Sequence, residues 1–121
     1  MATENIHDQL TFPAGADLSA YQYHAIALDD NTLADTGEEA AGILQNKPAS
    51  GAHGTLGMTG IMKFAAGAGL SRGAKLTVTT DGWFTTGDSG YYIVGEVLNT
   101  VTSGSIGTGI FNFATAPYLP V

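Results

Sequence analysis

From Gly42 to Phe113 the chain is cut by glycines at short intervals, and this cadence limits the folds open to it. The runs between the cuts are Ile43–Gln45, Thr55–Phe64, Ala74–Thr80, Trp83–Thr86, Tyr91–Leu98 and Ser105–Phe113. The punctuation is Gly51, Gly54, Gly67, Gly69, Gly73, Gly82, Gly87, Gly90 and Gly104. β-Branched and aromatic residues pack well on a pleated surface, and tight turns need residues that accept positive φ. The pattern predicts an all-β fold of roughly seven to nine short strands. The expected architecture is a small β-sandwich or open β-barrel with glycine-rich turns, without an internal repeat.

The chain divides into an N-terminal lead-in or arm, residues 1–16, and a single β domain, residues 17–121. In the lead-in, Leu10 and Phe12 alternate with Gln9 and Thr11, as in an edge strand or an arm. Pro13–Asp17 is turn chemistry. Tyr21–Leu28 reads as a strand that becomes apolar on both faces, hence a central one. Leu33–Ala41 and Asn46–Gly51 read as loops. Gly57 and Gly60 fall inside a strand and predict a bulge or a close backbone approach. Ala65–Leu70, all small residues until Leu70, predicts a tightly packed crossing loop. Thr80-Asp81-Gly82-Trp83 is the best hairpin signal, because Asp-Gly suits a type I′ turn. Pro117 and Pro120 predict an extended tail.

Composition narrows the partners. At 121 residues the chain is one domain. Hydrophobic residues make up 44% and charged residues only 12%, against roughly 25% charged in a typical soluble domain. So little charge over so small a body predicts that a partner covers part of the surface, most simply another copy of the chain. The net charge is −7, with four cations (Lys47, Lys63, Arg72 and Lys75) against eleven acids. A phosphate backbone or an anionic membrane demands a basic patch, so neither nucleic acid nor membrane is expected as a partner. There is no cysteine, which removes disulfides, thiolate catalysis and Cys-based zinc sites. The N-terminal residues lack the apolar stretch of a secretory signal, and no apolar run approaches the roughly 20 residues that span a bilayer. A soluble protein made in the cytoplasm is expected.

Catalytic constellations do not assemble on this pattern. His7, His24 and His53 lack metal-ligand spacing and read as scattered surface histidines. Asp29, Asp30, Asn31, Asp35, Glu38 and Glu39 form one acidic cluster, but its spacing fails the calcium-loop pattern and suits a solvated turn. No Gly-x-Ser-x-Gly elbow occurs, and Gly67–Gly73 misses both dinucleotide and phosphate-loop spacings. No catalytic residues, no cofactor and no metal are expected, and the chain is not expected to be an enzyme. Trp83-Phe84 and Tyr91-Tyr92 suit cross-strand pairs or interface anchors, with a carbohydrate-stacking platform as the alternative.

Several strings together carry a family likeness. Asp17-Leu18-Ser19-Ala20-Tyr21-Gln22-Tyr23 leads a strand ending in Leu28-Asp29. Gly42-Ile43-Leu44-Gln45-Asn46-Lys47-Pro48 follows, with Gly51 after it. Then come Gly60-Ile61-Met62-Lys63, an Ala/Gly stretch, Gly73-Ala74-Lys75-Leu76, Asp81-Gly82, Ile93-Val94-Gly95-Glu96-Val97-Leu98 and a glycine-led terminal strand. Over residues 17–113 this resembles the small capsid decoration, or cement, proteins of tailed bacteriophages. The aromatic content around Trp83 and Tyr92, and Glu96 in place of a small residue, depart from that pattern. The resemblance implies an all-β, generally trimeric virion protein, made in the host cytoplasm. It would sit on the outer surface of the mature capsid and clamp neighbouring major capsid protein subunits against internal DNA pressure. A capsid contact is expected at Leu10, Thr11 and Phe12 by strand addition, with an ordinary first strand as the competing reading. Other readings are a tail- or spike-associated β domain, or a carbohydrate-binding module using Trp83, Tyr91 and Tyr92.

Overall fold

The computed structural model describes residues 5–27, 31–36, 40–87 and 93–113. The expected tail, including Pro117 and Pro120, lies outside them. Nine strands occur among the described residues: β1 (Asn5–Pro13), β2 (Ala25–Ala27), β3 (Thr32–Leu33), β4 (Gly42–Leu44), β5 (His53–Ala65), β6 (Lys75–Val78), β7 (Phe84–Thr86), β8 (Gly95–Val97) and β9 (Ile106–Asn112). They form one sheet, and every strand pair in it is antiparallel.

β5 organises the sheet. One of its edges is taken by β1, from Pro13 opposite His53 to Asn5 opposite Ile61. Its other edge is shared. β4 pairs with the first part, Leu44 opposite Leu56, and β9 with the rest, Thr59 opposite Asn112 through Ala65 opposite Ile106. The sheet therefore forks into a branch β4-β2-β3 and a branch β9-β8-β6-β7. The fork sits beside Met58, where the register with β1 slips, in the expected stretch between Gly57 and Gly60. An extra residue at such a slip bends the strand and raises its twist. The second branch curls into an open half-barrel. β7 returns to the end of β5 through a parallel bridge between Ala66 and Phe84, and Gly67 N–H donates to the Phe84 carbonyl at 2.8 Å. This is the tightly packed crossing expected for the Ala/Gly stretch.

Two apolar cores follow from the fork. The larger fills the half-barrel with Met62, Phe64, Phe84, Phe111 and Phe113, all buried. The rings of Phe64, Phe84 and Phe111 meet edge to face, with centroids 5.5–5.7 Å apart. Such contacts add about 0.5–1.5 kcal/mol per pair beyond area burial. β9 makes room for them by facing inward with glycine. A Cβ on Gly107 would stand 2.8 Å from Phe64 Cζ. The smaller core joins Phe12, Leu18, Ile26, Leu44 and Leu56.

β2 and β4 lie between the two cores. Ile26 and Leu44 face the smaller, while Ala25, Ala27 and Ile43 face the larger. This is the two-sided apolar strand expected near Ile26, but it begins at Ala25 rather than Tyr21 and runs through Ala27 among the described residues, with Leu28 outside them. Tyr23 has φ 73°, and His24 N–H closes a turn onto the Tyr21 carbonyl at 3.1 Å. Extended backbone cannot continue through that conformation. The run expected at Tyr91–Leu98 is likewise a strand only over Gly95–Val97, with Tyr91 and Tyr92 outside the described residues.

Candidate functional site

The segment singled out for capsid contact is a built-in strand. Phe12 is 3% exposed in the smaller core, Leu10 is half-buried against that core, and Thr11 is exposed. Gln45 N–H donates to the Thr55 carbonyl, so Thr55 and Gly57 turn their main-chain groups toward β4. Gly54 and Leu56 then face β1 and bind Phe12 and Leu10. By the alternation of the ladder, the main-chain groups of Gln9 and Thr11 point away from the sheet. Among the described residues no strand pairs with this outer edge of β1. An unpaired edge is a template for another strand.

The histidines separate. His53 is exposed, and the His7 side chain lies outside the described part of the structure. His24 is no surface residue: it is 6% exposed, because the turn at Tyr21–His24 rolls it beneath the β6–β7 turn. Its Nδ1–H donates to the Asp81 carbonyl at 2.8 Å. Tyr21 and Trp83 flank the imidazole edge-on, at 5.2 Å and 4.5 Å between centroids. Burial pulls the pKa of His24 down, and the hydrogen bond and negative charge of Asp81 pull it back only in part. The ring is a neutral strut at pH 7.

Of the acidic cluster, Asp29, Asp30, Glu38 and Glu39 lie outside the described residues. Asp35 is exposed, and its Oδ1 accepts the Thr36 N–H at 2.8 Å. No set of three or more metal-ligating side chains comes together among the described residues.

The expected hairpin turn is present. Asp81 and Gly82 have φ 56° and 72°, the two positive values of a type I′ turn, and Trp83 N–H returns to the Thr80 carbonyl at 3.3 Å. The turn walls an open groove of about 300 Å³, lined by Gly67, Thr79, Thr80, Asp81, Trp83 and Ser103. Three hydroxyls, one carboxylate and a half-buried indole offer stacking and hydrogen bonds. Outward-facing Ile106 and Ile110 on β9 did not stand out in the sequence. The signal there was an Ile-Gly-Thr-Gly-Ile alternation, whose direction depends on what the glycines face.

The chain matches no family model and no curated protein sequence. Among solved structures, its fold is similar to that of the head fiber gp8.5 N base of bacteriophage phi29. The TM-score is 0.67 and the identity 17%, over 88% of this chain and 94% of that chain. The forked, half-barrel fold of this chain is thus similar to the fold of a phage head fiber base.

Proposed function

We propose that this chain is a structural protein of a tailed-phage virion that binds the outer surface of the capsid as a homotrimer. In this role it clamps neighbouring major capsid subunits and has no catalytic task. The observation that carries the reading is the fold shared with a head fiber base over nearly the whole of both chains. The low charge fraction and the absence of cysteine suit a protein held in place by surface fit rather than by chemistry.

The capsid contact runs along the outer edge of β1. There the outward main-chain groups of Gln9 and Thr11 receive an extended capsid segment, with Thr11 beside it and Leu10 and Phe12 holding the strand to the body. Strand addition draws its affinity from main-chain hydrogen bonds. Three such edges in one trimer act together and gain from high effective concentration. Co-sedimentation with purified heads of the phage that encodes the chain tests this. Stoichiometric binding and a higher temperature of head disruption are expected. A chain that stays in the supernatant at micromolar concentration overturns the reading.

The groove beside Trp83 favours one second reading, a carbohydrate-binding surface. Neutral sugars that quench Trp83 fluorescence saturably, with loss of quenching in Asp81→Ala, would support it. Unchanged fluorescence across a panel of hexoses would remove it.

A further inference from the structure

We propose that the outer face of β5, β9 and β8 is where a second copy of this chain sits, centred on Ile106 and Ile110. The inference rests on the homo-oligomer in the reading above and names its surface.

Ile106 and Ile110 are 47% and 49% exposed and are the exposed large hydrophobics among the described residues. The register places both on one face. Ile110 stands opposite Ile61 on β5 and Glu96 on β8, and Glu96 stands opposite Lys75 on β6. One straight row across four strands therefore reads Ile61, Ile110, Glu96, Lys75. In the next row Lys63 stands opposite Thr108, and Leu98 continues the β8 ladder by donating its N–H to the Thr108 carbonyl at 2.9 Å. Thr108 is only 5% exposed, so the two isoleucines stand either side of a filled position rather than a gap. The result is one apolar ridge.

Strand propensity alone does not require isoleucine there. Threonine is also β-branched, and the chain uses it at the exposed strand positions Thr11 and Thr86. Isoleucine at two exposed positions of one strand face adds apolar surface that a free domain has no use for.

Charge selects the partner. A chain of net charge −7 repels its own copies over most of its surface. Two of its four cations lie on this one face, on opposite sides of the ridge: Lys75 on β6, paired to Glu96 that stands between it and the ridge, and Lys63 on β5, its Nζ 5.7 Å from the Tyr23 ring centroid. Among the described side chains, the exposed acids Asp17, Asp35 and Asp81 lie outside β5, β8 and β9. With two lysines against one carboxylate, this face meets an acidic copy with little repulsion, and the lysines complement carboxylates that the next copy carries elsewhere. A ridge meeting a different acidic surface is a heterologous contact, the kind that closes into a ring.

The test compares wild type with Ile106→Thr/Ile110→Thr, which keeps β-branching, and with Ile110→Asp. Near-ultraviolet dichroism of Trp83 checks folding, and sedimentation equilibrium reads the mass. Wild type should be oligomeric at micromolar concentration. The double threonine variant should dissociate at least about tenfold more readily, and Ile110→Asp should be a folded monomer. Zero-length carboxyl–amine cross-linking of wild type should join Lys63 or Lys75 to an acidic residue of another copy, a readout that needs no variant. A monomeric wild type, an oligomer unmoved by both variants, or cross-links that avoid both lysines overturns the proposal. Head binding is measured separately on the same proteins. Loss of head binding with unchanged mass would make this face a capsid contact and overturn the proposal while sparing the capsid role. An oligomer that forms through this face but ignores heads would do the reverse.

Discussion

His24 donates its Nδ1–H to the main-chain carbonyl of Asp81 at 2.8 Å, across 57 residues of sequence. One residue on, Gly82 N–H donates to the Ala34 carbonyl at 2.8 Å. The pair of bonds latches the turn at the tip of the curled branch onto the β2–β3 branch. The two branches part at β5 and are rejoined here.

The latch makes stability depend on pH. The folded state holds His24 below its ordinary pKa of 6.5, mainly through burial, so the unfolded chain binds more protons near and below that value. Stability then rises with pH through this window. Its contribution is complete above about pH 6.5 and is lost as pH falls toward the lower folded-state pKa. Urea unfolding at pH 7.5 and pH 5 should show a drop for wild type. His24→Asn, which keeps a donor near Nδ1 but does not titrate, should lose the histidine part of that drop. An identical pH dependence in both proteins would assign the effect to other groups.

Gly82 should tolerate no side chain. Its φ is 72°, and a Cβ there would stand 2.6 Å from the Ala25 carbonyl oxygen and 2.9 Å from the Ala25 nitrogen. Gly82→Ala should cost about 2–4 kcal/mol, the left-handed strain plus a forced backbone shift. Gly51 has φ 81° but open space around it, so Gly51→Ala should cost only the strain, about 1–2 kcal/mol. Chemical denaturation of the two variants checks the order, and equal losses would show that the Ala25 contact does not matter.

Phe84 should be the costliest ring to remove. It is fully buried and meets Phe64, Phe111 and Phe113. Phe84→Ala should cost about 3–5 kcal/mol, a large share of a small domain's stability. Trp83, next in sequence, faces the groove and the His24 ring instead. Trp83→Phe should cost less than about 1.5 kcal/mol. Melting temperatures of both variants test the difference.

Removing residues 2–12 should leave a poorly folded protein, because it takes Phe12 from the smaller core and one whole edge from β5. Thr11→Pro is the sharper probe. The Thr11 N–H points outward, and proline is tolerated at such an edge position. Its melting temperature should stay within a few degrees of wild type while capsid co-sedimentation is lost. Full binding by Thr11→Pro would move the capsid contact away from β1.

Local chemistry made part of this legible in the sequence. Asp81-Gly82 specifies its turn, because positive φ is a property of those residues and needs no distant partner. The strands at Gly42–Leu44, His53–Ala65, Lys75–Val78, Phe84–Thr86 and Ile106–Asn112 follow from the same kind of local preference. What the sequence left open are choices between two faces or two partners. Residues 5–13 could leave the body or pair with it, and the edge offered by β5 decided for pairing. Tyr21–Leu28 had strand composition, but the left-handed Tyr23 kept the strand from starting before Ala25 and put His24 inside. β9 alternates isoleucine with glycine, and either set could have faced in. The rings of Phe64 and Phe111 fill the half-barrel so closely that only glycine fits against them, and the isoleucines were left outside. A period of two is a local fact, but its direction is set by the volume of residues far away in the chain, which only the packed structure brings together.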